Sequence, residues 1–344
     1  MNFDRVKRLL TKILKDNEFL LSIYNSYYKL LNKKEFLEEV EKRKMESIFE
    51  YEVLSKELPF YPDAPVKDSN FYGHYYWLKN YTNLEKFDFA IEHGLYLGSH
   101  VPIATHLKTT KAVVTFSKNR EEHLRNAGVK KPIVKIGPYI HYADSLLSDK
   151  QFIEIKEKFG RILTVFPSHS IKGFNVNIDQ DHLLDEIDRI KAEYSCDSVF
   201  VCAYYKDIRD NNFIEQYRQR GYNIVTAGHQ YDLNFLSRLK SIIQLSDYTM
   251  SNTVGTHTGY CIYLNKPHYI FNQEIEYTDK EGKPSKEYRF DHEVEKLRKE
   301  MAIIIKAFDE FNSDITEDQK KIVDEYWGVS EIKGRDKLRL KLLG

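Results

Sequence analysis

Between residues 161 and 271 short apolar runs alternate with amphipathic stretches, and few architectures accommodate such a pattern. "RILTVFPSHS" is a strand running into a loop, "DQDHLLDEIDRIKAEY" a helix, "SVFVCAY" a strand, "NNFIEQYRQRG" a helix and "YNIVTAG" a strand. The alternation continues with "DLNFLSRLKSIIQL" as a helix, "DYTMSN" as a short strand, "THTGYCIYLN" as a helix or turn, and "PHYIF" as a strand. Strands that are apolar along their whole length are buried on both faces. Such strands belong to a parallel sheet with helices on either side. In these sheets ligands bind beyond the carboxyl ends of the strands, near the point where strand order reverses. The loops at those ends are therefore where functional side chains are expected.

The preceding half carries the same signal. "FDFAIEHGLYLG", "AVVTFS" and "IVKIGPYI" are strand-length apolar runs ending in Gly, Ser or Pro, and "KNREEHLRNAG" between the last two reads as a helix closed by Gly128. A strongly charged helical stretch over residues 36–56 stops at "LPFYPDAPVKDSN", whose three prolines break it. A chain of 344 residues is long for one domain, so two lobes are expected. The boundaries drawn are a helical extension over 1–56, a first lobe over 57–148, a second over 149–280, and a charged loop with C-terminal helices over 281–344.

Several classes are excluded or disfavoured. The 52 basic and 52 acidic residues cancel, so the surface as a whole offers no attraction to nucleic acid, and none is expected as a partner. Cys196, Cys202 and Cys261 lack CxxC spacing, which argues against a disulfide scaffold and a thiolate zinc site and fits a reducing cytoplasm. The twelve histidines form no HExxH or HxH pair, so no metal is expected. GxGxxG, GxxxxGK[ST] and GxSxG are all missing, which removes the ordinary dehydrogenase, P-loop and elbow-hydrolase readings. No stretch approaches a spanning helix. At the start, Phe3, Val6, Leu9, Leu10, Ile13 and Leu14 recur at helical spacing with Arg5, Lys7, Arg8, Lys12 and Lys15 largely between them. This basic amphipathic helix, and the Lys- and Leu-rich tail "KGRDKLRLKLLG", either pack on the body or dock on an anionic membrane surface; both readings stand.

Four expected strand ends gather polar groups: "EHG" (Glu92, His93, Gly94), "PSHS" (Pro167 to Ser170), "AGHQYD" (Ala227 to Asp232) and "SNTVGTHTG" (Ser251 to Gly259). In the last, glycines permit close backbone approach, hydroxyls supply hydrogen bonds, and the following helix start favours an anion such as a diphosphate. The plain alternative is a strand-to-helix turn whose Ser and Thr cap the helix. The aromatic cluster "FYGHYYWLKNY" (Phe71 to Tyr81) is core packing or a surface for stacking a sugar. "NQEIEYTDKEGKPSKEYRFDHEVEK" is expected to form a solvent loop before a long final helix.

The run "AGHQYDLNFLSRLKSIIQLSDYTMSNTVGTHTGYCIYLNKPHYIF" resembles the nucleotide-binding half of GT-B glycosyltransferases, where a helix leads to a strand and turn of the form "sD.v.sn..gt", then a helix and "kP...f". "FAIEHGLYLG", "AVVTFSKNREEHLRNAG" and "IGPYIHYAD" similarly resemble the acceptor half of bacterial surface-polysaccharide transferases of the capsule, lipopolysaccharide and teichoic-acid type. Polyglycerophosphate transferases of that group carry one essential His in an "HG" turn and another in an "HP" turn. His93 matches the first; His169 lies where the second would be, with Ser170 in place of the proline.

The resemblance implies an α/β protein of two Rossmann-like lobes, GT-B type, with helical N- and C-terminal extensions, the last helix crossing back to the first lobe. It implies a transferase moving a sugar from a nucleotide-activated donor to a surface polysaccharide or glycolipid acceptor, without a cofactor. His93 would be the general base and His169 its catalytic counterpart. Ser168, Ser170, Ser251, Asn252, Thr253, Gly255, Thr256 and His257 would hold donor phosphate or ribose. His229, Gln230 and Tyr231 would line the base pocket, with Glu92, Gly94 and Tyr139 on the acceptor side. No DxD triplet stands where a metal-dependent GT-A transferase would carry one, and the donor region lacks the Glu-containing turn of many retaining enzymes. A metal-independent, inverting reaction is the expectation, in the cytoplasm or at the inner face of the membrane. The alternatives are transfer of a polyol phosphate from a CDP-alditol, a nucleotide-sugar epimerase, and a non-catalytic binding protein.

Overall fold

The structure, a computed structural model, describes residues 18–171, 174–209, 211–279, 283 and 293–343. The basic amphipathic helix expected at residues 3–15 lies outside these, as does much of the charged loop after 279.

The chain opens with helices α1 (Glu18–Lys44) and α2 (Tyr51–Leu54), so the expected charged helix begins earlier and breaks before residue 50. A 3-10 turn over Lys67–Gly73 leads into α3 (His74–Thr82). Strands β1 (Phe89–Ile91), β2 (Ala112–Thr115) and β3 (Ile133–Lys135) form a parallel sheet in the order β1-β2-β3. Helix α4 (Lys118–Asn126) crosses between β2 and β3, capped by the Ser117 hydroxyl. Its chain reverses at Gly128, where φ is +83°. This is the expected βαβ unit, although the first lobe carries only three short strands.

After α5 (Asp149–Phe159) comes β4 (Ile162–Phe166), then the short β5 (Asn175–Asn177) and α6 (Gln180–Glu193). They are followed by β6 (Ser198–Cys202), α7 (Asn211–Gln219), β7 (Asn223–Val225), α8 (Phe235–Leu245), β8 (Tyr248–Ser251), α9 (Thr256–Tyr263) and β9 (His268–Ile270). Five of these strands form one parallel sheet in the order β7-β6-β4-β8-β9. The chain builds outward from β4 through β6 to β7, then returns to the other side of β4 for β8 and β9. The switch point is therefore between β4 and β8, the place where such sheets hold ligands. Strand β10 (Glu276–Thr278) pairs antiparallel with β5 at the margin. The fold is α/β, with two parallel-sheet lobes.

Three helices follow the charged segment: α10 (Glu293–Phe308), α11 (Glu317–Trp327) and α12 (Arg335–Leu343). A reciprocal Thr316–Gln319 capping box starts α11, and Gly328 stops it in the left-handed region at φ +68°. Helix α10 packs on β9, α11 on both α9 and α4, and α12 on α3, so the C-terminus crosses back to the first lobe. One continuous apolar core results. It joins Phe89, Val114, Phe116 and Tyr139 of the first lobe to Phe166 and Tyr260 of the second, and to Trp327 and Leu338 of the last helices. Trp327 is fully buried, and its indole N–H donates to the Thr256 carbonyl at 3.0 Å. A Cβ on Gly259 would lie 2.3 Å from its ring.

That close approach fixes the sign of one substitution. Ala is a better helix former than Gly by roughly 1 kcal/mol, so Gly259→Ala in a free helix would stabilise. Here overpacking against Trp327 should destabilise by about 1–3 kcal/mol, read from urea unfolding. A more stable variant would contradict the packing.

Candidate active site between the lobes

His93 stands two residues past the end of β1, half-buried, in a ring of aromatic side chains. Phe71 meets it edge-on at 5.1 Å, Tyr72 lies 6.2 Å away and Tyr96 5.4 Å away, between ring centroids. The Tyr96 hydroxyl is 3.0 Å from His93 Nδ1. Burial lowers the His93 pKa, against a smaller pull upward from Asp68 and Glu92, which favours the neutral ring that a base must have.

Glu92, expected on the acceptor side, has another function. It is 3% exposed, and both its oxygens accept from Arg120: Oε1 from Nη2 at 2.6 Å and Oε2 from Nε at 2.9 Å. The Thr115 hydroxyl donates to it at 2.7 Å. Arg120 also reaches the His100 carbonyl, so this buried pair pins the turn that presents His93. Tyr139 is likewise a core residue rather than an acceptor contact. It is fully buried, stacked on Phe116 at 4.2 Å, with its hydroxyl on the Val114 carbonyl.

Facing this turn, the β4–β8 crevice is built from the second lobe. Asn252, wholly buried, accepts from the Ser168 N–H at 2.6 Å and donates to the Ser168 hydroxyl at 3.0 Å. It thereby ties the β4 loop to the β8 loop. The Ser251 hydroxyl donates to the Thr253 carbonyl and contacts His268 Nε2 at 3.0 Å. Ser168, Ser251 and Asn252 are thus buried scaffold of the crevice, with their polar atoms already paired. Ser170 donates its N–H to Asp207, whose carboxyl is pushed up by burial.

His169 is exposed and lies tilted against Tyr204, with ring centroids 4.2 Å apart. Although one edge meets solvent, the atoms crowded round the ring lower its pKa; the Ser170 carbonyl and Asp207 oppose that shift. The Tyr204 hydroxyl donates to Gln230 Oε1 at 3.5 Å. Each histidine, one per lobe, thus has a tyrosine beside it: Tyr72, from the aromatic cluster noted in the sequence, at His93, and Tyr204 at His169. Sequence reasoning missed Tyr204 and Tyr96, although Tyr204 ends the β6 run and Tyr96 lies three residues past His93 in "EHGLYLG".

His229 is only 1% exposed; its Nε2 meets Glu57 at 3.0 Å and its Nδ1 accepts from the Tyr231 N–H. It anchors the segment after α2 to the second lobe and offers no edge to a nucleobase, correcting its expected placement there. Gln230 and Tyr231 remain part-exposed. The Gln230 carbonyl accepts from the Tyr72 N–H at 2.6 Å. Tyr72 has φ of +59° and Gly73 of +72°, a left-handed pair that lets the aromatic segment dock on the second lobe. At Gly73 only glycine fits, because a Cβ would lie 2.3 Å from the Leu233 carbonyl oxygen.

The motif "SNTVGTHTG" does two jobs. Gly259 serves Trp327, as described above, and a Cβ on Gly255 would meet the His257 ring at 2.4 Å. The His257 ring folds back over Gly255 and stacks on Phe166 at 4.8 Å, and its Nε2 is buried without a hydrogen-bond partner. Burial pushes its pKa down to about 3. The Thr256 hydroxyl, at the start of α9, accepts from the Leu95 N–H at 2.9 Å. Gly94 approaches it so closely that a Cβ would lie 3.1 Å away, so "HG" and "GTHTG" meet across the lobes. Thr253 is part-exposed beside them.

No group of three or more His, Cys, Asp or Glu that could hold a metal occurs among the described residues. Among those residues, too, no helix is long and apolar enough to cross a membrane. A cavity of about 250 Å³ lined by Arg161, Asp247, Tyr248, Asn265, Pro267 and Asp314 lies at the amino ends of β4, β8 and β9, away from the histidines and from the edge where such sheets hold ligands.

No family model matches the sequence, and no curated protein does. Solved structures give loose superpositions. The UDP-GlcNAc 2-epimerase from Methanocaldococcus jannaschii is 12% identical with a TM-score of 0.39, over 87% of this chain and 90% of that one. The S. aureus MnaA–UDP co-structure is 11% identical with a TM-score of 0.38, over 76% and 74%. The pneumococcal O-GlcNAc transferase GtfA, in complex with UDP and GlcNAc, is 11% identical with a TM-score of 0.29, over 70% and 43%. Superpositions this loose transfer no residue role.

Two measurements follow from the geometry. Glu92→Ala strands the buried Arg120 charge and should cost about 3–5 kcal/mol of stability, read from chemical unfolding; an acceptor contact would instead raise KM and leave stability unchanged. His74 and His257 are both held neutral by burial, with pKa values lowered from 6.5 to about 3. Below pH 6.5 the unfolded chain takes up protons that the folded one refuses, so stability should fall steadily from pH 6.5 towards 3. His74→Phe and His257→Phe should each flatten that slope in thermal melts.

Proposed function

We propose that this chain is a glycosyltransferase of GT-B type that moves a sugar from a nucleotide-activated donor to a hydroxyl of a surface polysaccharide or glycolipid, without a metal. The observation that carries the reading is the meeting of two unlike elements across one gap. His93, neutral and walled by aromatic rings, belongs to the first lobe; the start of α9 belongs to the switch point of the second, with the Thr256 hydroxyl and the unpartnered His257 Nε2. The first-turn N–H groups of a helix have no partner within it and favour an anion, and a diphosphate would supply the missing partner for His257.

In the proposed reaction the acceptor hydroxyl gives its proton to His93 as its oxygen forms a bond to the anomeric carbon. The bond from that carbon to the donor phosphate oxygen breaks, and its electron pair leaves with the nucleotide. Charge growing on that oxygen is met by the α9 start, Thr256 and His257. Direct displacement inverts the anomeric centre. His169 and Tyr204 would border the donor, while Phe71, Tyr72 and Tyr96 offer rings to the acceptor sugar. Epimerisation asks for bases that act on a carbon-bound proton. The buried carboxylates nearest the gap are engaged, Glu92 by Arg120 and Asp207 by Ser170, which favours O–H over C–H chemistry.

Thermal shifts with UDP, GDP, CMP, CDP and their sugar or glycerol conjugates test the donor site, since a ligand bound only by the folded state raises its stability. A selective rise with one nucleotide sugar is expected. A rise confined to CDP compounds would replace the sugar with a polyol phosphate, donor turnover without acceptor would mean an epimerase, and no shift at all would remove the donor-site assignment. His93→Ala should retain the nucleotide shift and lose about 10²–10⁴-fold in transfer. Because the His93 pKa is lowered, the acid limb of kcat/KM should lie below pH 6.5.

A further inference from the structure

Helix α1 packs on the body through one face only. Phe36 and Val40 are buried with Leu58, Asn32 donates to the Phe60 carbonyl, and buried Arg43 donates to the carbonyls of Leu54, Lys56 and Glu57. The opposite face should then be polar. Instead Leu30 is 84% exposed, Tyr27 60%, Ile23 51% and Leu37 38%.

These side chains are not scattered. Leu20, Ile23, Tyr27, Leu30, Lys34 and Leu37 follow alternate steps of three and four, the 3.5-residue repeat of a coiled-coil seam. At 1.5 Å per residue the seam runs about 27 Å along the helix.

We infer that two copies of this chain pair through α1 as a parallel two-stranded coiled coil. The flanking charges select this occupant. Lys33 precedes one seam position and Glu38 follows the next, and in a parallel pair residues five apart on opposite helices face each other, so Lys33 meets Glu38 of the partner subunit twice by symmetry. Lys34 within the seam costs stability and fixes register. Within α1 itself an anionic lipid surface would call for a cluster of basic residues, whereas Lys33, Lys34, Lys42 and Lys44 are interspersed with Glu35, Glu38 and Glu41; the basic run of Arg5, Lys7, Arg8, Lys12 and Lys15 precedes α1 in the sequence.

Light scattering on the full chain tests the pairing. The wild type should have twice the 40.8 kDa chain mass. A triple variant, Ile23→Glu with Leu30→Glu and Leu37→Glu, should run as a monomer with unchanged circular dichroism, since these side chains lie off the body-packed face. Lys33→Glu should weaken the dimer several-fold, and adding Glu38→Lys should restore it; this charge swap decides the matter even if the triple variant fails to fold. A monomeric wild type overturns the inference, with or without binding to phosphatidylglycerol vesicles. So does a dimer indifferent to both sets of substitutions.

Discussion

The Trp327 indole sits where the two lobes and the closing helices meet, and the geometry of the cleft depends on it. Its N–H holds the Thr256 carbonyl at the start of α9, its ring presses on Gly259 one turn later, and α11 carries it from a helix that also touches α4 of the first lobe. Burying an indole of this size contributes roughly 4–6 kcal/mol. The position of α9 relative to β1 is thus set by a residue some seventy positions away in sequence. Gly328, whose would-be Cβ meets the Phe116 carbonyl at 2.4 Å, lets the chain turn away directly afterwards.

Around this centre, polar residues divide by burial into supports and working groups. Ser168, Ser251 and Asn252 form closed hydrogen bonds that hold two loops in register, and the Glu92–Arg120 pair does the same for the turn bearing His93. Each is buried, and each would be costly to leave unpaired. The groups left with unused edges are fewer: His93, His169, Thr256 and His257, with Tyr72, Tyr96 and Tyr204 around them. On the proposed function, rigid supports behind a few groups with free edges are what positioning of a reactive centre would require.

Much of this could be read from local pattern. Periodicity gave the β4 to β9 alternation, and the Gly128 stop gave the end of α4, because these depend on neighbours within a turn or two. Strand ends led to His93 and His169 because a parallel sheet exposes its carboxyl edge. What stayed hidden depends on partners far along the chain. Nothing near Gly259 reveals that an indole lies against it, nothing near His229 announces Glu57, and nothing in "IGPYIHYAD" shows that Tyr139 stacks inside the core. The start and stop of α11 are local signals too, since Thr316 and Gln319 make a capping box and Gly328 a stop.

The bond from the Leu95 N–H to the Thr256 hydroxyl has a thermodynamic side. A hydroxyl that accepts one hydrogen bond is polarised and donates more strongly through its own proton. While the lobes are together, Thr256 would therefore be a better donor to an anion at α9 than when they are apart. Reciprocity then requires that an anion bound there hold the lobes together by the same free energy. One threonine hydroxyl would in this way couple occupancy of the second lobe to the approach of His93 from the first, with no moving part beyond the gap itself.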